Sequence, residues 1–238
     1  ADTVRNPLTA AMDHAILGTS LHLAGDLGGA RAELESALRR EPRSRRTTTA
    51  YLGFEGRILA GAVLARTLWL QGHPVQALEH ARQAIDGAAE MDHSLTLCIA
   101  LIWGISVFLW TDDLQSAEEH ADWLISRSET NSMAPYLAVG RGFKAELAIR
   151  GGNAASGAES LQGCLEQLNS MPYELLTTSL NIALAQGLAA TKRLDESLML
   201  INRTIGLADI NGDVCYMPEL LRVKGTVLLS MAQPMSEI

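Results

Sequence analysis

Apolar residues recur along this chain at intervals of three and four, in long stretches broken by short polar or glycine-bearing segments. That period places them on one side of an α-helix, and no stretch alternates in the manner of a strand. The pattern predicts helices over 8–24, 27–40, 53–71, 74–89, 93–110, 113–129, 134–150, 154–169, 172–190, 193–209 and 216–231.

The breakers pair these helices. Gly25-Asp26, Gly72-His73-Pro74, Asp112-Asp113, Gly151-Gly152-Asn153 and Thr191-Lys192-Arg193 each read as the turn of a hairpin. Glycine there ends the first helix in a left-handed conformation without a Cβ penalty. Asp26, Asp113 and Asn153 suit the cap of the second helix, and Pro74 suits its first turn. The fifth turn has no glycine and is expected to be looser or less stable. After the turns come Leu27-Gly28-Gly29-Ala30, Pro74-Val75-Gln76-Ala77, Leu114-Gln115-Ser116-Ala117, Ala154-Ala155-Ser156-Gly157 and Leu194-Asp195-Glu196-Ser197. Their closing residues stand at 30, 77, 117, 157 and 197, in steps of 47, 40, 40 and 40. Seven positions on, along the same stripe, stand Ala37, Ala84, Leu124, Cys164 and Thr204.

A fixed period of this length marks a solenoid of stacked hairpins. The expected architecture is all-α: an α–α superhelix of about five hairpins with a period of about 40 residues, plus a final unpaired helix. The outer face of that last helix would be exposed, capped by further sequence or used in self-association. The chain reads as a single domain over 1–238, excised from a longer protein, because it lacks an initiating Met and stops early in a sixth hairpin.

Composition narrows the reading. The chain has 238 residues, a net charge of −8 and 47% hydrophobic residues, enough for a sizeable core. The acidic balance argues against a nucleic-acid surface, and the one dense basic run, over 39–46, reads as a solvated inter-repeat loop. Cys98, Cys164 and Cys215 are odd in number and lie in or beside helical patterns, which suits a reducing, cytoplasmic compartment. Ser94 to Thr111 carries no charge, yet the register makes it the first helix of the third hairpin, buried on several sides rather than in a membrane.

Small residues, turn glycines and paired alanines at this spacing resemble tetratricopeptide repeats, although the strict consensus unit is 34 residues and this period is 40. The block Tyr51-Leu52-Gly53-Phe54-Glu55-Gly56-Arg57 is similar to the C-terminal helical region of large bacterial ATPase-type transcriptional regulators and signalling proteins. So are Ala65 to Ala77, His93-Ser94, Pro135-Tyr136, Pro172-Tyr173 and Glu219 to Gly225. The resemblance implies tetratricopeptide-like hairpins that serve as a sensor or protein-interaction arm behind DNA-binding and ATPase modules. No phosphate-binding GxxxxGK[ST] motif of such a module occurs in this chain.

No catalytic constellation is legible, so the expectation is a non-enzymatic protein without cofactor. His73 and His80 are seven apart, but no further ligand completes a metal set. Asp209-Ile210-Asn211-Gly212-Asp213 lacks the later glycine and glutamate of a calcium loop and reads as a helix-ending turn. Trp69 and Trp110, at the ends of consecutive first helices, suit packing between hairpins, while Trp103 is the better groove candidate. In stacked hairpins the first helices line the concave face. Polar and aromatic residues on or near them are therefore the candidate binding set: Tyr51, Phe54, Arg57, His93, Trp103, Tyr136, Arg141, Tyr173, Tyr216, Glu219 and Arg222. The expected partner is a protein or peptide, including other domains of the same polypeptide. The alternatives are a small anionic effector ringed by Arg57, Arg141 and Arg222, or a homodimeric scaffold; neither nucleic acid nor membrane is expected to bind directly.

Overall fold

The computed structural model describes residues 7–40, 53–171 and 173–232. Tyr51 and most of the basic run lie outside them. Among the described residues the chain is helical throughout: α1 (Pro7–Leu23), α2 (Leu27–Arg40), α3 (Gly56–Leu70), α4 (Pro74–Ala89), α5 (Ser94–Trp110), α6 (Leu114–Thr130), α7 (Ala134–Arg150), α8 (Ala154–Ser170), α9 (Thr177–Ala190), α10 (Leu194–Asn211) and α11 (Met217–Ala232). Two compact units divide it, Ala1–Ser132 and Met133–Ile238. Each is built of A helices (α1, α3, α5 in the first, α7, α9, α11 in the second) that pack on one another in order, and every A helix but α11 also packs on its own B helix. These are the α–α hairpins of a helical solenoid.

Backbone geometry explains the period. Gly25, Gly72, Asp112, Gly152 and Lys192 all adopt positive φ, at 83°, 84°, 61°, 92° and 64°. Four of them close the A helix with paired backbone bonds, such as His73 N to Leu68 O and Gly72 N to Trp69 O, both 2.9 Å, while at the first turn Gly25 N bonds His22 O at 3.1 Å and Leu27 N bonds Gly25 O at 3.0 Å. The glycine-free fifth turn makes the same bonds, Arg193 N to Leu188 O at 2.9 Å and Lys192 N to Ala189 O at 3.0 Å. The expectation of a looser turn is therefore corrected: Lys192 accepts the left-handed strain and the geometry is kept. Asp26 and Asp113 cap as expected, accepting from Gly29 N and Ser116 N. Asn153 makes no side-chain cap.

Two helix starts differ from the pattern by more than one residue. The third helix begins at Gly56 rather than 53, because Gly53 has φ of 75° and the extended Glu55 is the N-cap. The ninth begins at Thr177 rather than 172, because Leu176 is left-handed with φ of 67°.

The small motif residues sit where hairpin helices cross. Ala30, Ala77, Ala117 and Ser197 are fully buried, and the Ser197 hydroxyl donates to Ala185 O at 2.7 Å. At Gly157 an added Cβ would meet Ala145 O at 2.9 Å and Ile149 N at 3.0 Å, so only glycine permits this approach. Among the A helices, α3 and α5 are buried on nearly every side. In α5 burial is unbroken from Thr96 to Leu109, each large aliphatic contributing about 1.5–3 kcal/mol. No helix among the described residues is long and apolar enough to cross a membrane. The last helix buries Leu220, Val223 and Val227 and exposes Leu221, Leu228 and Leu229.

Candidate functional site

One register of the A helices is polar in every repeat from α3 to α9. Arg66, Ser106, Glu146 and Gln186 stand 40 positions apart, one on each of α3, α5, α7 and α9. The two units use this register differently.

In the first unit it is filled. Arg66 is 0% exposed, and its guanidinium lies between the rings of Trp103 and Trp110, 4.8 and 4.6 Å from their centroids. Cation–π attraction on both faces offsets part of the cost of burying the charge. Nη1 also donates to the Ser106 hydroxyl at 3.4 Å. Trp69 continues the stack against Trp110 at 4.9 Å, and His22 meets Trp103 edge-on at 6.2 Å. His22 is fully buried. The Thr67 hydroxyl donates to Val63 O, so the network assigns the His22 Nδ1–H as donor to Thr67 Oγ1, at 3.0 Å. Nε2 is left as a buried acceptor with no partner. Burial, then the nearby Arg66 charge, holds the His22 pKa well below its ordinary value.

In the second unit the register opens. Glu146, 8% exposed, receives Arg150 Nε and Nη2 at 3.0 and 2.7 Å. Burial nevertheless raises its pKa, against the pull of Arg150. Gln186 Nε2 donates to Glu219 Oε1 at 3.4 Å, and Glu219 takes Arg222 through both oxygens at 2.7 and 2.6 Å. Between α9 and α11 lies a cleft of about 270 Å³. Its apolar part is Ala189, Val223 and Val227; its polar part is Gln186, Arg222 and, one and two turns on, Thr226 and Ser230. Apolar walls with a few convergent polar groups are the usual make-up of a binding cleft.

The sequence-derived candidates scatter relative to these features. Trp103 is 2% exposed, within the Arg66 stack. Phe54 is half-buried and Arg57 exposed in the first turn of α3. His93 caps α5: its Nδ1 accepts from Thr96 N, and the Thr96 hydroxyl accepts in turn from Glu55 N. Tyr136 and Tyr173 meet edge-on at 6.1 Å, Arg141 is exposed on α7, and Tyr216 is buried. Glu219 and Arg222 are the two that reach the cleft region. Gln186, Thr226, Ser230 and the buried Arg66 and Glu146 were not singled out from sequence. Only a spacing was visible in the sequence: Arg66, Glu146, Gln186 and Thr226 fall on one 40-residue register, within helices that carry other polar residues as well.

Among the described residues no group of three or more His, Cys, Asp or Glu could hold a metal ion.

No family model matches the chain, and no curated protein matches it. Solved structures do. A Rap protein complexed with competence and sporulation factor superposes with a TM-score of 0.61 at 13% identity, over 95% of this chain and 67% of that one. The apo form of RapI gives 0.58 at 10%, over 93% and 83%. A thermophilic TPR protein of Thermus thermophilus gives 0.53 at 21%, over 89% of this chain and all of that one. At these identities the likeness establishes the fold: tetratricopeptide-type helical repeats. Repeats of this type generally serve as non-catalytic scaffolds for protein binding.

Proposed function

We propose that this chain is a non-enzymatic interaction and sensor arm of a bacterial transcriptional regulator in the cytoplasm. It takes an extended segment of a protein, or of another part of its own polypeptide, along the A-helix face of the second unit. The observation that carries this is the α9–α11 cleft, where Gln186, Arg222, Thr226 and Ser230 border an apolar floor. Side-chain amides and hydroxyls match the alternating donors and acceptors of an extended backbone, and Ala189 and Val223 suit its apolar side chains. The Rap structure with competence and sporulation factor is a precedent for this fold in complex. The regulator context rests on the Phe54 and Glu219 blocks. The cleft's volume also favours a second reading, a small anionic effector held by Arg222.

The test is selection of displayed peptides on the purified chain. Enriched peptides should bind it and lose at least about tenfold, roughly 1.4 kcal/mol, against Thr226→Trp, which fills the cleft from an exposed position. Equal binding to Thr226→Trp would overturn the assignment. For the second reading, native mass spectrometry should release a small molecule on unfolding.

A further inference from the structure

A separate cleft lies on the B-helix side of the first unit, and nothing in the proposed function uses it. It is an open hollow of about 250 Å³ between α2 and α4. Its floor is α3, through Leu64 and Leu68, each 2% exposed, with Leu38 at the edge. At the next interval Arg82 reaches from α4 to Asp113 at the start of α6, at 3.1 Å. No such bridge joins α4 to α2 among the described residues.

The two walls differ in chemistry. On α2, Arg31, Glu35 and Arg39 stand one turn apart, and Glu35 pairs with both arginines at 2.8 and 3.2 Å. The row therefore keeps one uncompensated positive charge, with guanidinium N–H groups to spare. On α4, Gln76 and His80 stand one turn apart and face the same cleft. Neither side chain has a hydrogen bond among the described residues. Burial lowers the His80 pKa, so at neutral pH its ring offers one donor and one acceptor.

We infer that the α2–α4 cleft is a binding site for a small amphiphilic carboxylic acid, with a medium alkyl chain or a single aryl ring. The body lies on Leu64 and Leu68, and the carboxylate sits at the rim between Arg39 and the Gln76–His80 wall. The volume sets the size: about ten to fifteen non-hydrogen atoms, just below the usual range of ligand pockets. The residual charge sets the sign, because an ammonium head would meet Arg31 and Arg39.

Octanoate is the probe, titrated into the whole chain while the His80 ring is followed by NMR. The expected result is a saturating His80 shift with a dissociation constant below about 1 mM. Arg39→Glu should weaken binding at least about fivefold, and Gln76→Trp, which fills the cleft from an exposed position, should abolish it. Octyltrimethylammonium, with the same chain and opposite charge, should not compete. The inference is overturned if the His80 ring shows no saturable shift by about 10 mM octanoate. It is equally overturned if Gln76→Trp binds as wild type, or if the cation competes as well as the acid.

Discussion

His22 makes the stability of the first unit depend on pH in a stated direction. Its Nε2 is a buried acceptor with no partner, and protonation there would create a second cation beside the sandwiched Arg66. The folded ring therefore resists protonation, whereas the unfolded ring takes a proton near the ordinary value of 6.5. Below that value the unfolded chain binds more protons, so stability is fully present above pH 6.5 and is lost as pH falls toward the folded pKa. While the folded ring stays neutral, each further pH unit costs about 1.4 kcal/mol, and the interval from pH 7.5 to 5.5 costs about 1.4 kcal/mol in all. The assay is urea unfolding followed by tryptophan fluorescence. Trp69, Trp103, Trp110 and Trp123 all lie in the first unit, so the signal reports that unit alone. His22→Gln should abolish this component, so the stability difference between wild type and variant should change by about 1.4 kcal/mol across the interval. Equal pH dependence in the two proteins would refute the reasoning.

Three further predictions concern the hairpins. Ala77→Trp forces an indole into the fully buried crossing of α3 and α4 and should cost about 1–3 kcal/mol in urea unfolding. Gly157→Ala puts a methyl group against Ala145 O and Ile149 N, so it should destabilise the second unit in calorimetry despite alanine's better helix propensity. Lys192→Gly removes a left-handed lysine from an exposed turn and should stabilise by about 0.5–1 kcal/mol, read as a raised melting temperature.

The repeat was legible because turns are local. A left-handed residue and a small crossing residue recur at a fixed interval, and both leave a mark on composition at Gly25, Gly72, Gly152 and the motif alanines. Lys192 and Asp112 hold the same conformation without glycine, so there the register, not the residue type, was the guide. The start of α9 was not legible: Leu176 is an apolar residue in a left-handed cap, which no propensity announces. Nor was the inward placement of Trp103. A helix such as α5 that is apolar on all sides offers no stripe by which to decide which ring points at Arg66. Long-range partners decided the rest. Glu146 and Gln186 gain meaning only once α7, α9 and α11 lie side by side.

The most direct test of the central claim is an NMR footprint of a selected peptide on the isotopically labelled chain. The account predicts that the largest shifts fall on the Gln186 side-chain amide and on the backbone of Val223, Thr226 and Ser230 along the α9–α11 cleft. Shifts confined to the B helices, with the Gln186 amide unmoved, would contradict it.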